Sequence, residues 1–109
     1  MSKQVITEKQ IEKSLKPSKL RRFFNENLTA KFKKKDCSRC AIARYLRSEF
    51  KVSAGNVSVN DDSVEVRGIE SYVPDWVTKF INKFDEQTTR YISGKKSLEI
   101  LREVAYRTA

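Results

Sequence analysis

Two periodicities follow one another in the second half of this chain, and together they restrict its fold. Val57 and Val59, and then Val64 and Val66, alternate with polar residues, which predicts two strands that each bury one face. Residues 60–63 between them have the composition of a turn, so the strands should form an antiparallel hairpin. An isolated hairpin is marginally stable in water, and its valine face therefore needs a helix or a further strand to cover it.

An amphipathic helix follows the hairpin and can supply that cover. Pro74 and Asp75 suit the first turn of a helix, and apolar residues recur beyond them at helical spacing. One continuous face carries Trp76, Val77, Phe80, Ile81 and Phe84. The sequence therefore predicts an α+β fold in which helices pack on a small two-stranded antiparallel β-hairpin.

The first third of the chain is predicted to be mainly helical. Thr7 caps a first helix, Gln10 completes its capping box, and Pro17 stops it. Apolar residues every four positions then favour a second helix from Ser18 to about Asn27. Residues 28–35 fit a helix or an extended segment, and the sequence leaves that choice open.

A third helix is predicted to begin at Asp36, a good cap, and to run to about Lys51. Arg44, Arg47 and Lys51 fall on one stripe beside its apolar face. These cations either form a solvated flank or face a negatively charged partner. The apolar face itself comprises Ile42, Ala43, Leu46 and Phe50.

The last predicted helix begins near Ser97, after a loop over residues 94–96, and has one apolar face. That face packs either on the core or on a second copy of the chain, so a homodimer is an open alternative. The predicted organisation is a basic, mainly helical N-terminal segment, residues 1–35, followed by an α-β-β-α-α globular domain, residues 36–109.

The charge of the chain is strongly unbalanced. It has 109 residues, 23 Lys+Arg against 14 Asp+Glu, and a net charge of +9. Residues 1–36 hold eleven of the basic residues and four of the acidic ones, so most of the surplus lies at the N-terminal end. Such a surplus either keeps a small protein soluble or serves a polyanionic partner.

We expect a nucleic-acid-binding surface of eleven cations: Lys16, Lys19, Arg21, Arg22, Lys31, Lys33, Lys34, Lys35, Arg44, Arg47 and Lys51. Their contacts would go to phosphates, which gives affinity with little base preference. Phe23, Phe24 and Phe32 lie among these charges, and any that is exposed could stack on bases. The predicted partner is nucleic acid or a ribonucleoprotein. The alternative is an inhibitor or adaptor whose basic face docks on an acidic or nucleic-acid-binding protein complex.

Catalytic chemistry is poorly supported. The chain has no histidine, which removes Ser-His-Asp and Cys-His constellations, and it has no Gly-rich phosphate loop. Cys37 and Cys40 form a CxxC pair, for which an inert role is favoured over redox chemistry and over a metal site. We expect a non-enzymatic protein with no cofactor and no metal.

The chain has no apolar run of the roughly 20 residues that a membrane span needs, so a cytoplasmic location is the simplest expectation.

Residues 40–85 carry a resemblance. They combine a Cys40-x-Ile-Ala helix, the valine hairpin, and a helix led by Pro74 that ends in Phe-Ile-x-x-Phe-Asp. In this they resemble small uncharacterised proteins of bacteria and their phages. The resemblance implies a shared architecture and a phage or mobile-element origin. It implies no activity, and it does not extend to residues 1–36.

Overall fold

The computed structural model describes residues 6–35, 39–60 and 62–106, which form helices and two small antiparallel sheets. The helices are α1 (Glu8–Ser14), α2 (Pro17–Glu26), α3 (Ala41–Phe50), α4 (Asp75–Asp85) and α5 (Gly94–Leu101). The strands are β1 (Lys31–Lys33), β2 (Val57–Val59), β3 (Ser63–Val66), β4 (Ile69–Tyr72) and β5 (Tyr91–Ser93). A 3-10 turn at Ala54–Asn56 precedes β2, and a π-helical turn at Arg102–Tyr106 extends α5. The fold is therefore α+β, as predicted.

The valine hairpin is confirmed, and a third strand extends it. β2 pairs with β3 so that Val57 lies opposite Val66 and Val59 opposite Val64, and all four side chains are buried. At the end of β3 the chain turns through Gly68, whose φ of 80° suits glycine, and returns as β4 along the other edge of β3. The order of the sheet is thus β2-β3-β4. α1 contacts β4, and α3 contacts β2.

The N-terminal helices begin and end close to where the sequence places them. The Thr7 hydroxyl accepts a hydrogen bond from Gln10 N–H at 3.2 Å, and the Gln10 side chain accepts one from Thr7 N–H at 2.9 Å. This is the predicted capping box. Pro17 is the first residue of α2, because the ring fixes a helical φ and has no N–H to leave unsatisfied there.

The predicted start of the third helix is wrong. α3 begins at Ala41, with Cys40 as its N-cap. Lys33 N–H donates to the Arg39 carbonyl at 3.2 Å, so Arg39 lies beside β1 and the helix begins only after it. Asp36, the expected cap, lies outside the described residues. The predicted apolar face of this helix is nevertheless buried.

The predicted start of the last helix is also wrong. α5 begins at Gly94 instead of Ser97, and the Ser93 hydroxyl caps it by accepting a hydrogen bond from Lys96 N–H at 3.0 Å. Gly94 is a point of close approach: a Cβ atom there would lie 1.8 Å from the carbonyl oxygen of Asn27. The residues before it form β5, which pairs with β1, so residues 31–33 are extended.

One hydrophobic core joins the helices of the N-terminal segment to the rest of the chain. Leu20, Phe24 and Phe32 are fully buried in the same cluster as the apolar faces of α3, α4 and α5. The Phe24 ring stacks on Phe80 of α4 with centroids 5.8 Å apart. The apolar faces predicted for α3 and α4 lie in this core, although Trp76 is only partly buried at its margin.

Candidate nucleic-acid interface

β1 and β5 form a two-stranded ribbon with a clear inner and outer face. The register gives three facing pairs: Lys31–Ser93, Phe32–Ile92 and Lys33–Tyr91. Successive side chains of a strand point to opposite faces. Phe32 and Ile92 are buried in the core, whereas Lys31 and Tyr91 are exposed on the outer face. The ribbon thus presents lysines and a tyrosine to solvent.

Neighbouring segments bring more cations to this ribbon. The Arg39 carbonyl accepts the Lys33 N–H, and the Arg90 carbonyl accepts the Lys34 N–H at 3.1 Å. The guanidinium of Arg44 lies 5.4 Å from the centre of the Phe32 ring and covers one side of it. At the start of α5, Lys95 N–H donates to the Leu28 carbonyl at 3.0 Å. We call these exposed or partly exposed cations the ribbon patch: Lys31, Lys33, Arg39, Arg44, Arg90, Lys95 and Lys96.

The segments that meet at the ribbon account for the whole positive surplus of the protein. Residues 27–35, 39–48 and 87–98 contain ten lysines and arginines and no acidic residue. Of the 23 cations, 13 are left for the rest of the chain, which holds all 14 acidic residues. The fold therefore brings together three cation-rich segments that are separate in the sequence.

The predicted cations of α2 lie in a more mixed environment. Lys16, which precedes α2, and Lys19, Arg21 and Arg22 within it are exposed. The Lys19 ammonium forms a 2.9 Å ion pair with Glu49 of α3. Lys19 and Arg22 line a shallow groove between the two helices together with the acidic residues Glu26 and Glu49. This surface carries both signs of charge, unlike the ribbon patch.

Lys34 and Lys35 form the turn at the end of β1. The Lys34 ammonium donates to the carbonyl of Gln87, just beyond α4, so its charge is directed toward that helix end. Lys35 has a φ of 58°, and its N–H donates to an Asp85 carboxylate oxygen at 3.0 Å. Asp85 thus marks one boundary of the positive surface.

The three cations predicted on one stripe of α3 differ in their surroundings. Arg44 is half-buried against Phe32. Arg47 is also half-buried, and within the described part of the chain its buried Nε atom has no hydrogen-bond partner. Lys51 is exposed at the end of the helix, where its φ of 54° closes the last turn. Arg44 is the member that the fold brings to the ribbon.

The structure corrects the prediction of base-stacking phenylalanines. Phe24 and Phe32 are fully buried, because they fill the space between α2, the ribbon and α4. Phe23 is partly buried against Tyr45, with ring centroids 5.7 Å apart. Tyr45 is itself buried, and its hydroxyl donates to the Ser14 carbonyl. Burial, followed by the nearby Glu49 carboxylate, raises the pKa of Tyr45 above its usual value.

Sequence reasoning missed several residues of the candidate interface: Arg39, Arg90, Tyr91, Lys95 and Lys96. The available signal was the absence of acidic residues from positions 87–98. A three-residue strand such as β5 is too short to show a convincing alternation.

A separate cleft of about 500 Å³ lies between α3, the end of β2 and α4. Its lining is mainly apolar and includes Asp62, Asp85 and one cation, Lys35, so it offers phosphate a less favourable environment than the ribbon. Cys40, at one end, is buried, and its sulfur accepts from Ala43 N–H at 3.5 Å. Cys37, the predicted reactive thiol of the redox alternative, lies outside the described residues.

Within residues 6–35, 39–60 and 62–106, no helix combines the length and the apolar character that crossing a membrane requires. Comparison of the chain with family models, with curated proteins and with solved structures finds no match.

Proposed function

We propose that this protein is a non-enzymatic nucleic-acid-binding protein, which contacts phosphates through the ribbon patch and has little base preference. The observation that carries this proposal is the distribution of charge. Three segments that contain no acidic residue meet at one ribbon, and seven of their ten cations form the ribbon patch. A surface of one sign attracts the opposite charge over several ångströms, and lysine and arginine contacts to phosphate release counterions.

Part of this surface is also held in place before any partner arrives. Strand pairing fixes the backbone positions of Lys31 and Lys33, and Arg44 is held against the Phe32 ring. Cations on paired strands lose less conformational freedom on binding than cations on a flexible tail. A purely solvating role does not require such order, because charges of both signs interspersed over a surface serve solubility well.

The test is fluorescence anisotropy of labelled oligonucleotides titrated with protein over a salt series. Affinity should fall as salt rises, with a log–log slope of about −0.7 per phosphate on single strands and about −0.9 on duplex. The double variant Lys31→Gln, Lys33→Gln should bind more weakly, and its slope should shrink by about one unit per lysine.

The matched control is the double variant Lys9→Gln, Lys13→Gln. It removes the same charge from exposed positions of α1, away from the ribbon. A general effect of net charge would weaken both variants equally, whereas a site at the ribbon affects the first far more. Absence of binding at low salt would refute the proposal. So would a complex with a cellular protein that forms through the ribbon patch and survives nuclease treatment without nucleic acid, since it would support the protein-docking alternative instead.

A further inference from the structure

We infer that Tyr91 is a base-stacking platform and that the ribbon patch therefore prefers single-stranded nucleic acid. This inference rests on the proposed function and assigns the class of nucleic acid. Tyr91 lies directly opposite Lys33 on the outer face of the ribbon and directly follows Arg90 in the chain. Its side chain remains 51% exposed. An aromatic ring is thus presented to solvent within a surface that attracts phosphate.

The remaining aromatic residues near these cations are turned inward. Residues 27–35, 39–48 and 87–98, all of which the structure describes, contain the aromatic residues Phe32, Tyr45 and Tyr91. Phe32 and Tyr45 are buried, so Tyr91 is the ring in these segments that a partner can reach. Its place is fixed by the alternation of β5, because Ile92 points into the core and Tyr91 must therefore point out.

An aromatic ring beside cations favours binding of a single strand over binding of a duplex. A base within a duplex is covered on both faces by its neighbours, whereas a base in a single strand can swing out and lie on an aromatic ring. Lys31 and Lys33 lie two residues apart on one face of β1, about 6.6 Å along the strand. Phosphates on either side of a stacked base can therefore be contacted from the strand that faces Tyr91.

A second exposed tyrosine provides the matched control. Tyr72 lies at the end of β4, opposite Ser63 and two positions after Glu70 in the sequence, and it is 70% exposed. It lies outside the ribbon patch, and its exposure is at least as great. If any exposed tyrosine promoted binding through its apolar surface alone, Tyr72 would do so as well.

The experiment measures binding of oligothymidylate, oligouridylate and a duplex of equal length to the wild type and to Tyr91→Ala, Tyr91→Phe and Tyr72→Ala. Tyr91→Ala should weaken single-strand binding by about tenfold, within the range of measured base–aromatic stacking, and leave duplex binding unchanged. Its salt slope should stay that of the wild type, because no phosphate contact is removed. Tyr91→Phe should retain the wild-type affinity, and Tyr72→Ala should have no effect. Both single strands should respond alike, since neither stacking nor phosphate contact reads the sugar.

The outcomes separate this inference from the proposal on which it rests. If the wild type binds and Tyr91→Ala binds single strands as tightly as the wild type does, phosphate binding stands and the stacking role is wrong. Equal weakening toward single strands and duplex also refutes the stacking role. If the wild type binds none of the three probes at low salt, the proposed function itself fails.

Discussion

Replacing Gly94 with alanine tests the contact that sets the start of α5, and with it β5, against the end of α2. A Cβ atom at this position would lie 1.8 Å from the carbonyl oxygen of Asn27 and 3.1 Å from Leu28 Cα. Both are backbone atoms, so no side chain can rotate away to make room. Since Cβ atoms essentially never approach other heavy atoms closer than 3.0 Å, the start of α5 must move by about 1.2 Å.

Two backbone hydrogen bonds cross the same contact, and this displacement weakens both. Gly94 N–H donates to the Ala30 carbonyl at 2.9 Å, and Lys95 N–H donates to the Leu28 carbonyl at 3.0 Å. Moving the start of α5 away from Asn27 lengthens and weakens these bonds. Overpacking costs about 1–3 kcal/mol, and a lost hydrogen bond costs about 1 kcal/mol. The higher helix propensity of alanine relative to glycine offsets less than about 1 kcal/mol of this loss. We expect the free energy of unfolding to fall by about 3 kcal/mol and the Tm by roughly 10–25 °C.

Urea denaturation followed by circular dichroism and by tryptophan fluorescence measures this loss. The control is Gly55→Ala, because a Cβ atom at Gly55 meets no atom within 4 Å. It should change the free energy of unfolding by less than about 0.5 kcal/mol. If Gly94→Ala also stays within about 0.5 kcal/mol of the wild type, with an unchanged m value, the close approach of α5 to α2 is refuted.

Three further substitutions test other parts of the fold. Tyr45→Phe should lower the free energy of unfolding by about 1–2 kcal/mol near neutral pH, because a buried carbonyl loses its donor. Burial raises the pKa of Tyr45 in the folded protein above the value of 10 that it has in the unfolded chain. The tyrosine therefore contributes its full stabilisation below pH 10, and the free energy of unfolding declines by about 1.4 kcal/mol per pH unit above pH 10. The difference in the free energy of unfolding between Tyr45→Phe and the wild type should therefore shrink from pH 10 to pH 11 in denaturant titrations. A constant difference would contradict this reasoning. Leu20→Ala, in the fully buried face of α2, should cost about 3 kcal/mol. Its unfolding should remain a single transition in the fluorescence of Trp76 and in circular dichroism, and two separate transitions would show that α2 is not part of the common core. Lys34→Met should lower stability by about 1–2 kcal/mol and leave the salt slope of nucleic-acid binding unchanged, whereas a smaller slope would place Lys34 among the phosphate contacts.

The elements that sequence predicted well are those defined by local patterns. The capping box at Thr7 and Gln10 depends on residues three apart, and the apolar face of α4 repeats within eleven residues. The valine hairpin has a short turn, so its pairing also follows from neighbouring residues. In each case the information that fixes the structure lies within one short stretch of chain.

The elements that sequence missed depend on partners far along the chain. β1 and β5 have three residues each, and each is extended because it pairs with the other across about 60 positions. The sequence places Gly94 in a loop, but it begins α5, and its missing side chain lets two backbones meet. The sequence leaves open whether Phe32, which lies among lysines, is exposed; strand alternation turns it inward and leaves its lysine neighbours outside.

The same long-range pairing explains why the interface is more sharply defined in the fold than in the sequence. Counted along the chain, the basic surplus lay in the first third, where Glu26 and, across a groove, Glu49 stand beside the cations of α2. Pairing of β1 with β5 instead joins segments that contain no acidic residue. Bringing like charges together costs free energy in the unbound protein, because each cation raises the energy of its neighbours. A polyanion removes that cost when it binds, and this balance favours a binding surface over a merely solvated one at the ribbon patch.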